Sequence, residues 1–130
     1  LKKNPKVFFE EWDDPIITGI KWVSELIEIA GGIDIFKYYS SKPNAKDRII
    51  KNSDEVINAN PDIIFASWCG KKLNKDKIIN RNNWHMINAV KNNDIYEVKS
   101  PLILQPGPAA LTDGLNEIKN VISNWNMQQK

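Results

Sequence analysis

Asp62-Ile63-Ile64-Phe65-Ala66 is a short apolar run held between Pro61 and a Trp68-Cys69-Gly70 turn, and it reads as the clearest strand in the chain. Two more runs have the same character: Lys6-Val7-Phe8-Phe9, entered after Pro5, and Ile95-Tyr96-Glu97-Val98, entered after Asn92-Asn93-Asp94. Helical patterns separate them. Ile20, Val23, Leu26, Ile27 and Ala30 share one helix face, with Thr18 or Asp14 as candidate caps and Gly31-Gly32 as the stop. Ser53-Asp54-Glu55 opens a second helix, which ends before Pro61. Lys75 to Ile79 predicts a short helix, and Trp84 to Val90 an irregular segment or short helix. The last helix starts near Pro108 and places Leu111, Leu115, Ile118, Ile122 and Trp125 on one face, with Met127 to Lys130 frayed. Ile33 to Asp47 reads as a polar connector and Arg48-Ile49-Ile50 as a short strand. Strands alternating with helices predict an α/β domain, a three-layer αβα sandwich with a mostly parallel central sheet.

At 130 residues the chain is expected to form one domain, 1–130, with enough apolar content (42%) to build a core without metal or disulfide. A net charge of +2 with the two signs mixed gives no basic stripe, so nucleic acid is not an expected partner. The densest basic run, Lys71, Lys72, Lys75 and Lys77, is interrupted by Asp76 and reads as a solvated face. Cys69 is the only cysteine, which rules out an intrachain disulfide. No run approaches the length of a membrane span. The chain begins Leu1-Lys2-Lys3-Asn4-Pro5, without Met, as expected of a piece of a longer protein.

Three segments directly follow apolar runs: Glu10-Glu11-Trp12-Asp13-Asp14-Pro15, Ser67-Trp68-Cys69-Gly70-Lys71, and Ser100-Pro101-Leu102-Ile103-Leu104-Gln105-Pro106-Gly107-Pro108. In an open α/β sheet, loops leaving the carboxyl ends of strands meet along one edge, where ligands bind. Trp12 and Trp68 are expected to be exposed there as aromatic anchors, which give large contact area at low entropy cost.

The catalytic alternatives are weaker. Glu10, Glu11, Asp13 and Asp14 crowd four carboxylates around Trp12, as a metal-dependent enzyme domain would require. Adjacent strand residues point to opposite faces, so capping, loop hydrogen bonds or an acidic patch are favoured. Cys69 and His85 suggest a thiol–imidazole pair, but His85 lies between Trp84 and Met86 and is expected to be a partly buried structural histidine. A zinc site needs more Cys or His than the chain has. No glycine-rich phosphate loop follows the first strand. No catalytic residue, resident metal or cofactor is expected.

Lys6 to Pro15, the Ala30-Gly31-Gly32 helix end, Asn60-Pro61-Asp62-Ile63-Ile64 and Leu104-Gln105-Pro106-Gly107-Pro108 followed by a helix together resemble the C-terminal lobe of the helical-backbone (class III) substrate-binding proteins of ABC importers. Within that family the resemblance is strongest to the branch binding cobalamin, alongside those for ferric siderophores and haem. It implies two lobes joined by a long helix, with residues 1–5 as the tail of that helix and a ligand, a corrinoid or a ferric chelate, held between the lobes. It also implies a periplasmic or extracellular location, possible lipid anchorage, and ABC permease subunits as partners. The implied cleft wall carries Trp12, Ile17, Trp68 and Leu102 as apolar contacts, and Asp13, Asp14, Lys71 and Gln105 as polar ones. Relatives often carry an acid before the proline turn that pairs with permease arginines. Here Leu104-Gln105 stands there instead, and Asp113 and Glu117 are the substitute docking residues.

Overall fold

The computed structural model describes residues 3–104 and 107–129. A central sheet is built from β1 (Lys6–Asp13), β2 (Ile16–Thr18), β3 (Ile33–Asp34), β4 (Ile63–Ala66) and β5 (Ile95–Glu97). β1 lies at its middle. One edge of β1 pairs in parallel with β4 from Val7↔Ile63 to Glu10↔Ala66. Its other edge pairs in parallel with β3 at Lys6 and Val7, then antiparallel with β2 from Glu10 to Asp13. β5 adds in parallel outside β4. The expected mostly parallel sheet is therefore present, with a tight β1–β2 hairpin turning at Asp14-Pro15.

Alternation of side chains along each strand builds two cores. Val7, Phe9, Ile63 and Phe65 point to one face, covered by α1 (Lys21–Ile29) and α7 (Leu115–Gln128) through Val23, Leu26, Ile27, Ile118, Ile122 and Trp125. Phe8, Ile64, Ala66 and Ile95 point to the other, covered by Phe36, Val56, Ile78, Trp84 and Ile87. These come from the segments around α2 (Lys37–Ser40), α3 (Asp54–Ala59), α4 (Lys75–Ile79) and α5 (Asn88–Lys91).

Several local expectations are corrected. Neither Thr18 nor Asp14 caps α1. Ile20 is the cap residue, and its backbone N–H donates to the Glu11 carboxylate (2.8 Å), which reaches across the hairpin. Ser53 makes no side-chain cap, and Asn52 Oδ1 instead accepts from the Asp54 N–H at 2.9 Å. The connector 33–47 contains β3 and α2, because Asp34 is buried and orders the turn by accepting from the Phe36 N–H. Instead of a strand at 48–50, a 3₁₀ turn (Ala45–Arg48) precedes a single bridge between Ile49 and Ile17. Of residues 1–5, expected as a helix tail, 1 and 2 lie outside the described residues, and Lys3 exchanges two hydrogen bonds with the Asn126 side-chain amide.

Leu111 does not join the apolar face of the last helix and is 65% exposed. The π-helical turn Ala110–Gly114 inserts extra residues per turn and rotates Leu111 out of phase. Gly114 is needed there: a Cβ would lie 2.5 Å from the Leu102 carbonyl oxygen on α6 (Ser100–Ile103). The short helix α6 replaces the expected open turn after β5.

Candidate functional site

Parallel pairing sets the site's position. Glu10 on β1 faces Ala66 on β4, and Ala66 faces Glu97 on β5, so all three strands reach their carboxyl ends along one edge. The hairpin turn, the Ser67–Lys71 loop and α6 leave from that edge side by side.

Glu10 is fully buried beneath it. Its carboxylate accepts two hydrogen bonds from the Arg81 guanidinium (2.6 and 3.0 Å) and one from Trp68 Nε1 (2.9 Å). Burial pushes the Glu10 carboxyl upward, while Arg81 and Trp68 pull against it. Arg81 also donates to the Asp13 carbonyl (3.3 Å) and lies over the Trp84 ring at 4.5 Å. Glu11 points to the opposite side and pairs with Arg48 at 2.8 Å; its own burial raises its carboxyl.

Above this layer, Lys71 Nζ lies 2.8 Å from Asp13 Oδ1 and over two rings, 4.3 Å from the Trp12 centroid and 5.1 Å from that of Trp68. Lys77 Nζ lies 3.6 Å from the other Asp13 oxygen. Burial works to raise Asp13, but the hydrogen bond from Lys71 and the charges of Lys71 and Lys77 hold it below the usual carboxylate value. A carboxyl lowered in the folded state adds stability that is complete above its ordinary value of 3.8 and is lost as pH falls through the lowered one. The gap in urea midpoint between the parent protein and Asp13→Asn is accordingly expected to be widest near about pH 7 and to close under acid. A gap independent of pH would refute the assignment.

Four of the sequence-predicted residues thus converge: Trp12, Asp13, Trp68 and Lys71. Trp12 is half-buried, its Nε1 pinned to the Asp14 carbonyl at 3.1 Å. Ile17 stands opposite Trp12 in the hairpin ladder and is half-buried. Asp14 is exposed at the turn, and Leu102 is half-buried on α6 at the far end of the edge. Gln105 lies outside the described residues. Asp113 and Glu117 are exposed on the C-terminal helical segment.

Two expectations are corrected. Trp68 is only 2% exposed, because Glu10 draws its N–H inward and its ring joins the core beside Ile78 and Trp84. The ring surface left on this edge belongs to Trp12. His85, expected to be partly buried, is exposed, since the 3₁₀ turn Trp84–Met86 sends Trp84 inward and the next two residues outward. Cys69 is exposed as well.

The acidic stretch that a metal-dependent enzyme would use is divided among cations on two sides of the sheet. Among the described residues no group of three His, Cys, Asp or Glu side chains converges on a metal position. Arg81, Lys77 and Arg48, which neutralise that stretch, carry no recognisable spacing. Arg81 sits in an asparagine-rich segment, and only the fold brings it 71 positions back to Glu10.

The mostly parallel α/β sheet carries an aromatic and basic cluster at its carboxyl edge, and comparison with known proteins gives the class of the chain. The sequence profile of the periplasmic binding protein family matches residues 1–102, and the chain belongs to that family, whose members are non-catalytic solute-binding proteins. The High-affinity heme uptake system protein IsdE of Staphylococcus aureus (strain Newman) is 31% identical over 108 residues, covering 75% of this chain and 35% of its own length. A crystal structure of an ABC transporter substrate-binding protein from Listeria monocytogenes EGD-e superposes with TM-score 0.74 and 23% identity, over 95% of this chain and 49% of that one. The periplasmic vitamin B12 binding protein BtuF of Vibrio cholerae gives TM-score 0.71 and 21% identity, over 98% and 47%. The chain therefore spans about a third of the curated relatives it matches and about half of these solved structures.

Proposed function

We propose that this chain is one lobe of the extracytoplasmic substrate-binding component of an ABC importer, and that its ligand is a corrinoid or a ferric chelate, haem included. The observation that carries the reading is the Trp12–Lys71–Trp68 assembly at the carboxyl edge of the sheet, where open α/β folds take ligands. Membership of a solute-binding family supports it, as does the span of about half of the solved neighbours. The half-buried Trp12 ring offers a flat apolar surface to a macrocycle, and Ile17 extends that surface along the hairpin. No helix among the described residues is long and apolar enough to cross a membrane.

The test is a titration of the full-length protein with cyanocobalamin, haemin and ferrichrome, followed by tryptophan fluorescence. Saturable quenching by one of them is expected. Silence from all three refutes ligand capture. Permease docking is assigned to the exposed Asp113 and Glu117. Reversing both charges is expected to reduce stimulation of the transporter's ATPase, and unchanged stimulation would remove them from the docking surface.

A further inference from the structure

We propose that Lys71 is a pre-positioned anion anchor, and that the chelate bound at this edge carries acidic substituents. The proposal rests on the capture reading above and narrows its ligand class. Lysine side chains on a surface are usually mobile, and ordering one on binding weakens affinity. Here the ordering is already in place. The backbone turn from Trp68 to Lys71 is closed by a 3.3 Å hydrogen bond, and the ammonium is held by Asp13 on one side and by the Trp12 and Trp68 rings on others.

Asp13 does not cancel its charge. Lys77 approaches the second Asp13 oxygen, so two ammonium groups share one carboxylate and a positive charge is left over at this corner. Of the other carboxylates at this edge, Glu10 is balanced by Arg81, while Glu97 accepts from the neutral Leu73 N–H at 2.9 Å and keeps its charge. Asp14 is exposed at the turn, where solvent and salt screen it. The Lys71 side chain is 37% exposed, so its ammonium is reachable from solvent. A partly exposed ammonium fixed over the Trp12 ring suits a chelate with carboxylates at its rim, through a charge-assisted hydrogen bond.

The test uses two pairs of probes matched in metal and differing in charge. Haemin, with two carboxylates, is compared with its dimethyl ester, and an anionic ferric tris-catecholate with the neutral ferric tris-hydroxamate ferrichrome. Each is titrated against the full-length protein and its Lys71→Gln and Lys71→Arg variants. In whichever pair binds, the parent is expected to prefer the anionic member by about tenfold or more. Lys71→Gln should bring that member down to the affinity of its neutral counterpart, while Lys71→Arg keeps most of the preference. Added salt should shrink the preference as well. Equal affinities in the parent, a preference that survives Lys71→Gln, or an equal loss for both members would each overturn the anchor. Binding of only neutral probes, cyanocobalamin included, would leave ligand capture standing and remove the anchor. Binding of none would refute capture itself.

Discussion

Glu10→Ala is expected to lower folding stability by about 3 kcal/mol, read as a shift of the urea midpoint at unchanged slope. The carboxylate is fully buried and accepts from Arg81 twice and from Trp68 once. Removing it leaves a guanidinium, only 15% exposed in its side chain, without its countercharge, and an indole N–H without that acceptor. Burying an unpaired charge is what makes breaking such a pair costly, whereas replacing both partners by apolar groups often costs little. The Glu10→Met, Arg81→Met double variant should therefore recover much of the loss. A drop below about 1 kcal/mol for Glu10→Ala alone would mean that water already solvates the pair.

Trp84→Ala is expected to cost about 3–5 kcal/mol. Its ring is completely buried and meets Phe8 edge-on at 6.2 Å on the face of the sheet opposite α1 and α7. The ring also lies under Arg81, so its loss should not add to that of Glu10→Ala. Trp84→Phe should be far milder than Trp84→Ala. The Trp84 indole N–H is buried with no hydrogen-bond partner among the described residues, so phenylalanine removes an unsatisfied donor while filling most of the space. Equal losses for Phe and Ala would refute the assignment of the cost to lost ring packing.

The strands were legible because each is a short apolar run between breakers. Val7–Phe9, Ile63–Ala66 and Ile95–Glu97 all lie in the sheet, and their alternation alone sorts residues into two cores. Helix caps were not legible. Capping of α1 passed from Thr18 or Asp14 to Glu11, whose carboxylate reaches Ile20 only because the hairpin folds back. The phase of the last helix failed at Leu111 for a similar reason. A period of 3.6 cannot anticipate the π turn that lets Gly114 lie against the Leu102 carbonyl.

The candidate site divides along the same line. Local pattern placed Trp12, Asp13, Trp68 and Lys71 at the ends of strands, and the parallel order of those strands brought the ends together. That much followed from the sequence by itself, because hydrophobic periodicity and breakers act over a few residues. Only the tertiary structure decided that Trp68 turns inward while Trp12 stays at the surface, that Arg81 arrives beneath Glu10, and that Lys71 sits between two rings. Those outcomes depend on where a buried carboxylate finds its countercharge, and the countercharge comes from far along the chain.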